Sequence, residues 1–235
     1  MSTNEFLNET SILLPTRAAS SGAAVNKTEY VVVDGMTPYI YVFSFCGAFM
    51  GAVPTLRPYK KITYSMETDS YYALGCDCGG AVYTLNCRFV ETDKICIDCS
   101  STILDVSLYQ RDLCPEALLL TYPHSVGAFT KSGNLDSEMR KSKKNTFYTS
   151  FIKTATAYAE GFSRGCEEYI SISAGCVENS IIVPSCVSLK NLFATDGGGI
   201  YGFFSKNYAY NFIVPLYENE TVNTCFFQKT TKGII

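Results

Sequence analysis

Glu168-Tyr-Ile-Ser-Ile-Ser-Ala174 alternates between two kinds of residue, with Tyr169, Ser171 and Ser173 on one side and Ile170, Ile172 and Ala174 on the other. That period of two predicts a half-buried strand. Beyond Pro184 the spacing turns helical: Leu189, Leu192, Phe193, Ile200, Phe203 and Phe204 fall on one stripe, with Asp196 the polar exception. Gly197-Gly198-Gly199 interrupts that stripe, and each glycine inside a helix costs about 0.8–1.0 kcal/mol relative to alanine. The expected helix is therefore broken or shortened there. Tyr208-Ala-Tyr-Asn-Phe-Ile-Val214, aromatic and β-branched, predicts a closing strand that stops at Pro215.

Working outward, residues 2–14 predict a short helix. Ser2 and Glu5 form a capping box, Phe6, Leu7, Thr10, Leu13 and Leu14 an apolar stripe, and Pro15 a stop. Thr16 to Thr28 is small and polar, a linker or extended arm. Such a helix must dock on something, either a neighbouring copy, with Phe6, Leu7, Leu13 and Leu14 as the assembly residues, or its own domain. The expected organisation is an N-terminal helix and arm over 1–28 and a single body over 29–235.

Strand patterns dominate that body. Tyr30–Val33 and Tyr39–Phe45 flank the turn pair Asp34-Gly35, and Leu56–Met66, Tyr71–Leu74, Ala81–Val90 and Ile95–Leu108 follow. Residues 131–146, with Arg140-Lys-Ser-Lys-Lys144 as the basic cluster, read as an exposed loop, and Phe147–Phe162 as helix or strand. No internal repeat is visible. The expected class is α+β, mainly β: an antiparallel β-sandwich with an N-terminal helix and a C-terminal helical segment.

Hydrophobic residues at 47% and charged residues at 17% exclude general disorder. A net charge of −3 gives no electrostatic case for nucleic-acid binding, and no apolar run approaches the ~20 residues of a membrane helix. The first ten residues lack the basic and apolar regions of a signal peptide, so the three sequons at Asn8, Asn26 and Asn219 read as chance and the 11 cysteines as mostly reduced thiols. A secreted, cysteine-rich surface or receptor-binding glycoprotein domain is the alternative reading.

The densest cysteine region, Cys76, Cys78, Cys87, Cys96 and Cys99, offers a Cys-x-Cys and a Cys-x-x-Cys. Cys76, Cys78, Cys96 and Cys99 could converge on zinc, with buried thiols or a disulfide as the plainer reading. His124 is the sole histidine, and Cys114 its one nearby thiol partner for nucleophilic chemistry. Asp196-Gly-Gly-Gly199 could present backbone N–H groups to phosphate but lacks the Lys-Ser/Thr of a P-loop. No set of acid, base and nucleophile supports an enzyme, and no cofactor is required.

Glu168-Tyr-x-Ser-Ile-Ser173, Leu192-Phe-x-Thr195 and Phe203-Phe-x-Lys-Asn-Tyr-Ala209, ahead of a last apolar strand, resemble the C-terminal part of the cypovirus polyhedrins, the matrix proteins of insect-virus occlusion bodies. The triple glycine departs from that family. The resemblance implies a structural protein of the host-cell cytoplasm that crystallises around virions and dissolves in alkali. Its implied partners are its own copies, as a homotrimer and lattice, and the virus capsid, with no membrane and no direct nucleic acid; nucleotides held in the crystal are a further implication. The composition supplies a release chemistry, because ionising 17 Tyr and 11 Cys would unbalance 19 cations and 22 acids. Tyr39, Tyr41, Tyr71, Tyr72, Tyr201, Tyr208 and Tyr210 are the candidate alkaline-switch residues.

Overall fold

The computed structural model describes residues 11–14, 20–76, 80–97, 101–111, 114–207 and 210–218, and these form strands connected by turns and links, with no helix among the described residues. A short strand, β1 (Ile12–Leu14), is followed by five four-stranded groups. The first comprises β2 (Gly22–Val25), β3 (Glu29–Val33), β4 (Tyr39–Ser44) and β5 (Phe49–Pro54). The second is β6 (Tyr59–Ser65), β7 (Ser70–Gly75), β8 (Ala81–Asn86) and β9 (Glu91–Cys96). The third is β10 (Asp105–Arg111), β11 (Cys114–Thr121), β12 (Ser125–Phe129) and β13 (Leu135–Lys141). The fourth is β14 (Phe147–Lys153), β15 (Ala157–Arg164), β16 (Glu167–Ala174) and β17 (Val177–Val183). The last, β18 (Val187–Ala194), β19 (Ile200–Lys206) and β20 (Tyr210–Tyr217), takes β1 as its fourth strand.

All neighbouring strands are antiparallel. The first strands of the five sheets touch in a closed ring, β2 on β6, β6 on β10, β10 on β14, β14 on β18 and β18 back on β2. Sheets arranged radially about a ring of inner strands are the blades of a five-bladed β-propeller. The ring is closed by hydrogen bonding between the two ends of the chain: Ile12 is opposite Ile213 and Leu14 opposite Asn211.

The core is correspondingly five layers, one between each pair of blades. Val31, Val33, Ile40 and Ile62 fill the first gap and Leu74, Val82, Val106 and Leu118 the second. Leu119, Val126, Tyr148 and Phe151 fill the third, Ile170, Leu189 and Phe204 the fourth, and Tyr30, Val32, Phe193 and Phe203 the fifth. Neighbouring residues of one strand thus enter different layers: Val31 and Val33 face one blade, Tyr30 and Val32 the other. A strand covered on both faces needs apolar residues at consecutive positions, so its pattern loses the alternation of a one-sided sheet.

This arrangement corrects the α+β sandwich. The apparent helical stripe from Leu189 to Phe204 is two strands, β18 and β19, both buried on two faces. The glycines between them form the hairpin turn: Gly198 has φ +75°, and the Gly198 N–H donates to the Thr195 carbonyl at 2.9 Å. Leu13 and Leu14 of the expected N-terminal helix lie in β1, while Phe6 and Leu7 fall outside the described residues. Residues 22–25, expected in a linker, are β2; residues 135–141, expected in a loop, are β13; and Phe147–Phe162 belongs to β14 and β15. A repeat is present after all, in structure, since the inner strands begin at residues 22, 59, 105, 147 and 187, a spacing in the range of propeller blades.

Candidate functional site

The axis of the ring is polar. Each inner strand contributes to a set of buried polar contacts: side chains of Lys61 from β6, Asp105 from β10, Ser150 from β14 and Asn191 from β18, and the backbone of Ala23 from β2. The Ser150 hydroxyl donates to Asp105 Oδ2 and accepts the Leu192 N–H at 2.8 Å. Ser107 Oγ donates to the Phe151 carbonyl at 2.7 Å. Asn191 Nδ2 donates to the Ala23 carbonyl at 2.8 Å, while its Oδ1 accepts the Ala23 N–H at 3.0 Å. Lys61 Nζ reaches past the first blade to donate to the Lys190 carbonyl in the fifth. These bonds satisfy groups that burial would otherwise penalise by several kcal/mol in an apolar setting.

Ionisable groups concentrate at the same level. Asp105 is fully buried, and burial pushes its carboxyl up to about 6 against the pull of the Lys61 ammonium and the Ser150 hydroxyl. Burial also pulls Lys61 down, with Asp105 opposing it and Lys190 and Lys60 adding repulsion. Lys190 is lowered by burial against Glu168. Glu168 is raised by burial, although its Oε2 accepts the Leu189 N–H at 2.9 Å. Lys60 Nζ donates to the Ile103 carbonyl at 3.1 Å. Lys60, Lys61 and Lys190 are only partly buried, so solvent reaches this mouth of the axis while Asp105, Ser107, Ser150 and Asn191 lie sealed beneath. Three lysines against two carboxyl groups leave an excess of positive charge at this level, and perturbed titratable groups cluster at functional sites as well as in structural ion-pair networks.

None of these residues was singled out by sequence reading. Lys60 and Lys61 lie in an apolar-polar run that suits an ordinary strand with one wet face. Asp105 opens β10 while Lys61, Ser150 and Asn191 are the third, fourth and fifth residues of β6, β14 and β18, so no common position along the inner strands marks them in the sequence.

The residues that sequence did single out are scattered. Cys76 and Cys96 are exposed at the ends of β7 and β9, Cys76 with its thiol donating to the Gly35 carbonyl, while Cys78 and Cys99 lie outside the described residues. Among the described residues no three His, Cys, Asp or Glu side chains gather as metal ligands. Cys114 is the first residue of the eight-residue β11 and His124 lies beyond its other end, about 24 Å of extended chain away, which removes the nucleophile pair. The amides of Thr195 and Gly198 are spent within the β18–β19 hairpin rather than offered to a phosphate. Tyr71, Tyr72 and Tyr201 are buried, Tyr41 is partly buried, Tyr39 and Tyr210 are exposed, and Tyr208 lies outside the described residues.

No family model and no curated protein matches the sequence. The fold is similar to that of Myxococcus xanthus glutaminyl cyclase, with a TM-score of 0.62 and 11% identity over 89% of this chain and 95% of that one. It is similar to virginiamycin B lyase from Staphylococcus aureus, with a TM-score of 0.53 and 11% identity over 88% of this chain and 98% of that one. A putative exported protein from Bacteroides fragilis gives 0.52 and 8% identity over 89% and 94%. These likenesses are to β-propellers and concern the fold. They overturn the resemblance to cypovirus polyhedrins and, with it, the occlusion-body matrix role: the short motifs between residues 168 and 209 belong to propeller strands and their turns.

Proposed function

We propose that this chain is a ligand-binding β-propeller that holds a small organic anion at the lysine-lined mouth of its axis. The observation that carries the reading is the grouping of Lys60 and Lys190 about Lys61, whose Nζ donates to the Lys190 carbonyl and whose charge faces the buried carboxyl of Asp105. An ammonium has three donors; Lys60 and Lys61 each commit one to a backbone carbonyl, leaving donors for a carboxylate. A partly desolvated mouth strengthens those contacts over the same contacts in bulk water.

A second reading is favoured by one observation, the carboxyl of Asp105 poised near neutrality beside a lysine of lowered pKa. In that reading Lys61 exchanges the proton with the bound anion while Asp105, sealed beneath, sets the charge of Lys61, and two of the similar propellers carry enzyme names. The protein would then convert its ligand, whereas a pure binding module would return it unchanged.

Calorimetric titration of the full chain with acetate, succinate and citrate tests the proposal. Binding of at least one, weakened about tenfold or more in Lys190→Met, is expected. Absence of binding for the whole series, or equal affinity in the variant, would overturn it. Recovery of the ligand after incubation separates the two readings.

A further inference from the structure

We propose that the rim of the third blade carries a second site, for a phosphate monoester. A shallow depression of about 500 Å³ lies there between the β11–β12 turn and the link from β13 to β14, with His124, Glu138, Ser142, Lys143, Lys144 and Asn145 among its lining. The link is pinned to that turn: the Ser142 N–H donates to the His124 carbonyl at 2.8 Å and the Tyr148 N–H to the Pro123 carbonyl at 2.9 Å. His124 Nδ1 and Ser142 Oγ are 3.3 Å apart.

A tight turn then presents the lysines. Asn145 takes a left-handed φ of +62°, and the Thr146 N–H closes back on the Lys143 carbonyl at 3.1 Å. Lys143 and Lys144 are both exposed, immediately ahead of Asn145. Glu138 is engaged by Lys141 at 3.1 Å, so the acceptor-only group of the lining is already matched. Two ammonium groups and the Asn145 amide remain as donors, with one more from the His124–Ser142 pair, whose other donor is spent between them, and a phosphate monoester carries close to two negative charges at neutral pH.

One further feature fits an ester. Phe147 is 45% exposed, its ring 5.0 Å from that of His124, and offers an apolar ledge for the organic part of the ligand. The site is separate from the axial mouth and stands or falls independently of it.

The test is calorimetric titration of the full chain with phosphoserine, serine, inorganic phosphate and a phosphoserine peptide. The same titrations use the Lys143→Ala/Lys144→Ala double variant and Phe147→Ala. Both lysines are exposed, and circular dichroism verifies that the variants fold. Phosphoserine is expected to bind and serine not, with affinity falling about tenfold or more in the double variant and falling with added salt. Phe147→Ala is expected to weaken phosphoserine and leave inorganic phosphate unchanged. Tighter binding of the peptide than of phosphoserine would assign the phosphate to a protein, and equal binding to a free metabolite. Equal affinity for phosphoserine and serine, or undiminished binding in the double variant, would overturn the site.

Discussion

Asn191 and Ala23, 168 residues apart in the chain, exchange two hydrogen bonds across the seam between the fifth blade and the first, at 2.8 and 3.0 Å. Asn191 is buried in an inner strand, and both groups it satisfies belong to the Ala23 backbone. Asn191→Ala strands a buried N–H and a buried carbonyl, each worth about 1–3 kcal/mol. A loss of about 2–4 kcal/mol is expected, a fall of roughly 5–12 °C in Tm for a chain of this size. Thermal unfolding followed by circular dichroism measures it.

The seam has a second fastener in β1. Leu14 is fully buried in the layer shared by the fifth and first blades, paired in register with Asn211. Leu14→Ala opens a cavity at that closure and is expected to cost about 2–5 kcal/mol. Leu13→Ala, two-fifths or more exposed on the same strand, is expected to cost less than about 1 kcal/mol. Urea midpoints of the two variants check the contrast.

Asp105 makes the fold sensitive to mild acid in an unusual direction. Its carboxyl is raised from 3.8 to about 6 by burial, so between those values the folded chain holds a proton that the unfolded chain has lost. Stability from this group is present at low pH and is lost as pH rises through about 6. The shift corresponds to roughly 3 kcal/mol. Asp105→Asn removes that dependence, so the stability of the native chain relative to the variant is expected to grow as pH falls from 6 to 4. Urea titrations of both proteins across that window measure the difference.

Buried phenols set the alkaline limit. Tyr201 is pushed up to about 12 by burial, with Glu218 adding to it, and Tyr148 to about 12 by burial and Glu160. Tyr30 and Tyr71 are raised further, chiefly by burial. A raised acid favours the folded state while it stays protonated and ceases to do so as pH climbs from 10 towards 12. Stability is expected to fall over that interval, with tyrosinate absorbance at 295 nm and loss of β-sheet ellipticity rising together.

Much of the strand content was legible. Tyr30–Val33, Tyr39–Ser44, Ala81–Asn86 and Glu168–Ala174 lie in strands because their β-branched and aromatic residues suit a pleated sheet. Their arrangement was not, because closure depends on pairs such as Asn191 with Ala23 and Leu14 with Asn211, distant in the chain and silent in any local pattern. Burial on both faces also blurred the period: Leu189, Leu192, Phe193, Phe203 and Phe204 match a helical stripe by coincidence, since two interblade layers draw apolar residues from both sides of one strand. The axial residues were hidden for the same reason. Lys61, Asp105, Ser150 and Asn191 are the third, first, fourth and fifth residues of strands beginning at 59, 105, 147 and 187, so no common offset marks them before the ring is assembled.

The claim that the axial lysines form a ligand site is tested most directly by chemical footprinting. Lysines of the full chain are acetylated with and without saturating succinate or citrate, and modification at each is read by mass spectrometry. Selective protection of Lys60, Lys61 and Lys190, with Lys27 and Lys94 unchanged, is the predicted result. Equal modification of the three axial lysines in the presence and absence of every anion would contradict it.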